Sequence, residues 1–172
     1  MSTAGTDIFE LPIFMTPTTP LAGVAELYER HYETVFRAAL RLTGNAADAE
    51  DVLQTVFLRV LARSGGDAAL SAAYFRRAAV NAAVDVLRRR EMHAKSSYDD
   101  TALPAVQAPL LLKERLRRAI AALDSDDASL FLLRYVEGLS NEELAAMFEL
   151  EKNNIAVRLH RIRQRLQMEL ER

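Results

Sequence analysis

The chain has 172 residues, a formal net charge of −2, an apolar half and no cysteine. That length accommodates one ordinary domain or two small ones. The missing thiols exclude disulfide scaffolds, thiolate zinc sites and cysteine nucleophiles. His31, His93 and His160 lie far apart in sequence, no signal peptide opens the chain, and no apolar run reaches the ~20 residues of a membrane span, so a soluble cytoplasmic protein without metal or cofactor is expected.

Residues 1–22 are rich in proline, threonine and serine and read as a flexible arm. From Val24 the apolar positions Leu27, Tyr28, His31, Val35, Phe36, Ala39 and Leu40 recur at steps of three and four, a helix ended by Thr43-Gly44-Asn45. Asn45 is a good N-cap for a second helix, with Asp48 in its first turn and a stripe of Ala49, Val52, Leu53, Val56, Phe57, Val60 and Leu61. Ser64-Gly65-Gly66-Asp67 breaks the chain before a third helix, from about Ser71 to about Glu91. Residues 92–109 lose periodicity and read as a flexible linker. Helical pattern resumes at Leu112, Leu116, Ala119, Ile120 and Leu123, and a short helix is expected at 126–136. Ser140-Asn141-Glu142-Glu143 is a capping-box signature for a helix to about Phe148, and a last helix runs to the C-terminus. The expectation is all-α: two small helical domains, residues 23–91 and 110–172, on either side of the linker at 92–109.

Two short helices on a tight connection, the second longer and basic, follow helix-turn-helix logic. On a wheel of the last helix, Ile155, Leu159, Ile162 and Leu166 form the core stripe. Asn153, Val157, His160, Arg161 and Gln164 point away from it, and Asn154, Arg158 and Arg165 lie on one flank. Amides, guanidinium and a small apolar group suit base edges in a major groove, and Arg158, Arg161, Arg163 and Arg165 suit phosphates. An ordinary amphipathic bundle helix has the same pattern.

In the first domain, Asp48, Glu50 and Asp51 crowd the start of the second helix, followed by Gln54. The helix dipole favours acids there, and such a group also suits a basic protein surface. No histidine, further acid or phosphate-binding loop accompanies them, so no enzyme is expected. The third helix holds five arginines against one acid over residues 74–90. Tyr74, Phe75, Arg76, Arg77 and Asn81 mix aromatic, cationic and amide groups, as single-stranded nucleic acid requires, with Phe75 assigned to the core. Arg88, Arg89 and Arg90 also complement the dipole at that helix's C-terminal end.

Three blocks carry a family resemblance: DAEDVLQTVFLRVL (48–61), YFRRAAVNAAVDVLRRR (74–90) and LLRYVEGLSNEELAAMFELEKNNIAVRLHRIRQRL (132–166). Together they resemble the extracytoplasmic function group of bacterial RNA polymerase sigma factors, over about residues 24–170. The resemblance implies a non-enzymatic subunit that binds core RNA polymerase and directs promoter recognition and opening. Asp48, Glu50, Asp51, Gln54 and Phe57 would form or support the contact with the clamp helices of the beta-prime subunit. Tyr74, Arg76, Arg77, Asn81, Arg88, Arg89 and Arg90 would melt and read the minus-ten element, with a flipped base lodged near Asn81. Asn153, Asn154, Val157, Arg158, Arg161 and Arg165 would take the minus-thirty-five element. The beta flap, promoter DNA and an anti-sigma factor are the further partners implied.

Several positions depart from the family pattern. Val80 stands where a basic residue is frequent, Leu123-Asp124 replaces a common Leu-Pro, and Glu149 takes the place of a turn glycine. Glu149 and Glu151 put negative charge near the recognition helix. The competing reading is a free-standing helix-turn-helix regulator that binds its duplex without polymerase. An adaptor acting by protein contact alone fits poorly with two arginine clusters.

Overall fold

The structure is a computed structural model and describes residues 20–64, 70–96 and 108–171. Among these there are seven helices and no strand: α1 (Pro20–Thr43), α2 (Ala46–Ser64), α3 (Ala72–Ser96), α4 (Ala108–Ala121), α5 (Ser125–Tyr135), α6 (Asn141–Phe148) and α7 (Lys152–Glu171). The expected arm at 1–22 and linker at 92–109 lie mostly outside the described residues. The parts that are described are helical: α1 starts at Pro20, where a first-turn proline sacrifices no hydrogen bond, and α3 runs five residues past Glu91.

The helix boundaries follow their caps. Gly44 adopts φ +67° and ends α1, and Asn45 then caps α2, its Oδ1 accepting from the Ala47 N–H at 2.8 Å. Ser71 Oγ accepts from the Tyr74 N–H and opens α3. Asp124 caps α5 through the Asp127 N–H at 2.9 Å. Ser140 and Glu143 form the full capping box of α6. Ser140's backbone N–H, first among the causes, holds the Glu143 carboxyl below its usual range.

Helices α1, α2 and α3 bury an aromatic column. Phe75 is fully buried, stacked on His31 at 4.2 Å and on Phe57 at 5.4 Å, with Tyr28 beyond Phe57 at 4.9 Å. Truncating Phe75 to Ala would open a cavity costing about 3–5 kcal/mol. In the second module, Leu130, Leu133, Leu144, Ile155 and Ile162 are at most 1% exposed and join α5, α6 and α7.

The two modules also pack on each other. Helix α3 lies against α1 and α2 on one side and against α4 and α5 on the other. Its apolar residues are accordingly buried nearly all round, Val80 and Val84 completely. The Arg41 guanidinium of α1 forks the Glu137 carboxylate beyond α5, Nε to Oε1 at 3.0 Å and Nη2 to Oε2 at 2.8 Å. Arg117 of α4 donates to the Thr43 carbonyl at the end of α1.

Candidate nucleic-acid and protein interfaces

Helix α2 presents an acidic outer face. Glu50, Asp51 and Gln54 are exposed, and Asp51, Gln54, Leu58 and Leu61 follow one another at helical spacing. Leu58 is 63% exposed and, with Leu61 one turn on, gives the acidic face an apolar edge. The sequence pattern did not mark Leu58, and it assigned Leu61 to the core, although 36% of Leu61 faces solvent. Asp48 and Phe57 sit differently from the other acidic-face candidates. The Asp48 carboxylate pairs with Arg90 of α3, and Phe57 is buried in the aromatic column. Phe57 therefore shapes α2 from within and offers no surface of its own.

The candidate residues of α3 divide in two. Tyr74 is half-buried, edge-on to Phe75, and Arg89 is exposed. Arg76 is half-buried, close enough to Glu143 to stabilise its charge. Arg77, Asn81 and Arg88 share a stripe with Val84, and that stripe faces the second module. Arg77 Nη1 donates to the Met147 carbonyl at 2.7 Å, and its guanidinium lies 4.4 Å over the Phe148 ring. Asn81 Oδ1 accepts from the Ser129 hydroxyl. Arg88 donates to the carbonyls of Ala121 at 3.2 Å and Leu123 at 2.6 Å. Arg90, besides its pair with Asp48, reaches the Thr43 carbonyl.

Helix α7 bears out the wheel. Ile155, Leu159, Ile162 and Leu166 are buried, and Asn153, Asn154, Val157, His160, Arg161 and Gln164 are exposed. The turn before it places Glu149 at φ 55°, ψ 41°, the left-handed region that suits glycine, with the Leu150 N–H closing on Ala145 O at 3.0 Å. Arg158 and Arg165 turn toward α5. Arg158 Nε meets Asp127 Oδ1 at 2.5 Å, and Arg165 Nη1 meets Asp127 Oδ2 at 3.2 Å. Asp124 lies 3.7 Å from Arg158 and 3.9 Å from Arg165. Burial pushes the Asp127 carboxyl up, against the hydrogen bond from Arg158. Burial also opposes ionisation of Asp124, but the Asp127 backbone N–H, the Asp127 side chain and the two arginines hold it below the usual range.

An apolar groove of 480 Å³ runs between α4, α5 and α7, lined by Leu116, Phe131, Tyr135, Leu166 and Leu170. Among the described residues no helix is long and apolar enough to cross a membrane.

Residues 27–92 match the family model for sigma-70 region 2, and residues 113–166 match that for sigma-70 region 4. The chain is 35% identical over 143 residues to the RNA polymerase sigma factor CarQ of Myxococcus xanthus, covering 79% of this chain and 82% of that protein. It is 32% identical over 143 residues to the ECF RNA polymerase sigma factor SigL of Mycobacterium tuberculosis, covering 78% and 81%. The sigma factor RpoE in complex with the anti-sigma factor NepR from Bartonella quintana aligns at a TM-score of 0.49 and 21% identity, over 86% of this chain and 96% of that one. The chain belongs to the RNA polymerase sigma factors of the extracytoplasmic function group and is an alternative sigma factor that directs promoter recognition.

Proposed function

We propose that this sigma factor divides its work among three faces. The α2 stripe of Asp51, Gln54, Leu58 and Leu61 seats core RNA polymerase at the clamp helices of the beta-prime subunit. Exposed acids beside exposed leucines are what a basic, partly apolar helical partner would meet, and this pairing carries the reading. Asp48 supports that face through Arg90, and Phe57 supports it from the core.

The second face is α3. Tyr74, Arg76, Arg77, Asn81, Arg88, Arg89 and Arg90 provide stacking, amide and guanidinium groups for an unpaired minus-ten strand. The third is the outer side of α7, where Asn153, Asn154, Val157 and Arg161 enter the major groove of the minus-thirty-five element. Arg158 and Arg165 flank that side and serve phosphates after leaving their carboxylates. The groove between α4, α5 and α7 fits an apolar helix such as one on the beta flap. Nucleotide addition belongs to the polymerase, the cytoplasm is the place of action, and an anti-sigma partner competes for these faces.

Two substitutions test the division. Asp51→Arg reverses a charge on an exposed helical position and should abolish binding to core polymerase while the chain stays folded. Arg161→Ala should spare core binding and weaken promoter-specific initiation by about 1–3 kcal/mol for a bidentate base contact. Equal loss of core binding in both variants contradicts the assignment.

A further inference from the structure

We propose that Asp127 of α5 is an internal stand-in for a DNA backbone phosphate, which occupies Arg158 and Arg165 and thereby sets how tightly α7 holds its duplex. The inference rests on the assignment of the outer side of α7 to the duplex, and it names a residue of another helix that governs the affinity there.

Asp127 stands where the duplex-binding groups converge. A hollow of 560 Å³ opens along α7, lined by Asn154, Val157, Arg158, Arg161 and Arg165 of that helix, and the one acid among its lining residues is Asp127. Asn154, Arg158, Arg161 and Arg165 follow at steps of three and four and so form one stripe. A negative charge inside a surface meant for phosphates opposes the binding it sits in.

The chemistry of the contact is that of the ligand it replaces. Asp127 gives one carboxylate oxygen to each arginine, to Arg158 Nε at 2.5 Å and to Arg165 Nη1 at 3.2 Å. A backbone phosphate also offers two free oxygens that share one negative charge, and guanidinium meets both groups with the same fork. The N–H groups that meet Asp127 cannot serve a phosphate at the same time. The acid does not step aside, because Asp124 holds its backbone N–H at 2.9 Å and its side chain is 12% exposed. The arginine side chains, 33% and 51% exposed, are the ones free to swing toward DNA. Asp124, 3.7 Å from Arg158 and 3.9 Å from Arg165, adds a weaker pull from the solvent side.

Asp127→Asn keeps the shape of the side chain and removes its charge. With one more uncompensated cation facing the duplex, the plot of log affinity against log salt should steepen by about 0.9. The same change tightens binding by about eightfold at about 0.1 M salt and fades toward 1 M.

The test uses the full chain as holoenzyme with core polymerase, on a fluorescein-labelled promoter duplex recovered by mapping transcript starts, titrated across a salt series. Asp127→Asn is expected to bind about eightfold more tightly at low salt, with the steeper slope and with helical circular dichroism retained. Asp124→Asn keeps a competent N-cap and should show a smaller gain of the same sign, which keeps the test open should Asp127→Asn fail to fold. The decisive comparison repeats Asp127→Asn in a chain that already carries Arg158→Ala and Arg165→Ala. There the gain should fall to about twofold or less, the screened remainder of a single charge.

Unchanged or weaker binding by Asp127→Asn would mean that the acid only braces the fold, and would overturn the proposal. An equal gain with and without the two arginines would reduce the effect to plain removal of negative charge and overturn it as well. Arg161→Ala separates this inference from the assignment beneath it. Weaker binding by Arg161→Ala beside an inert Asp127→Asn defeats the stand-in alone. Binding that neither substitution moves takes α7 away from the duplex, and the stand-in with it.

Discussion

The Arg158 guanidinium is held by Asp127, Nε to Oδ1 at 2.5 Å, and so the flank of α7 is tied to α5 behind it. The Asp127 side chain is 12% exposed and that of Arg158 33%. Removing the arginine leaves a mostly buried carboxylate with Arg165 as its remaining cationic neighbour. Arg158→Ala should therefore destabilise the fold by about 1–3 kcal/mol, the cost of an orphaned, partly buried charge. Arg161, exposed on the outer face, should leave the unfolding midpoint unchanged when replaced by Ala. Thermal unfolding of the two variants measures this directly. Equal midpoints would mean that the Asp127 contact contributes nothing to the fold.

Glu149 occupies a left-handed conformation that costs a residue with a Cβ about 1 kcal/mol. Glu149→Gly should relieve most of that strain and raise the unfolding midpoint by about 2–4 °C. It also removes a negative charge from the approach to α7, so duplex binding should tighten as well. A lower midpoint would show that Glu149 makes a compensating contact.

His31 gives the fold a definite pH dependence. It is 7% exposed and stacks on Phe75. Burial, and then the charge of Arg30, hold its pKa below the ordinary 6.5. The unfolded chain therefore takes up a proton that the folded chain refuses, and stability falls as pH drops through the unfolded histidine's range near 6.5. At pH 7.5 neither state is appreciably protonated, and the penalty vanishes. Unfolding midpoints measured at pH 7.5 and 5.5 should differ less for His31→Phe than for the parent. An equal difference would place the acid sensitivity in other groups.

All seven helices were legible in the sequence, because each buries a stripe of regular spacing and most carry a recognisable cap. Asn45, Ser71 and Ser140 each cap the helix expected to follow. The outer face of α7 was legible for the same reason, since its core stripe of Ile155, Leu159, Ile162 and Leu166 fixes which way Asn153 and Arg161 point. The contact between modules was not. In the sequence Arg77 and Arg88 read only as groups for nucleic acid, because their partners in the fold are backbone carbonyls of residues 33 to 70 positions away. Every residue has a carbonyl, so side-chain pattern carries no trace of such a bond. Asp124 and Asp127 likewise have a sufficient local reason to stand at the start of α5, as cap and dipole partner, which conceals their pairing with Arg158 and Arg165. Leu58 escaped notice because an exposed leucine has no periodic signature.

The central claim is best tested by mixing the purified chain with bacterial core RNA polymerase lacking any sigma factor, isolating the complex, and mapping transcript starts on a genomic fragment library. A stable complex with discrete start sites, both lost in Asp51→Arg, is the predicted result. A chain that binds a duplex site without core, and never directs a start with it, would contradict the account and make this a free-standing helix-turn-helix regulator.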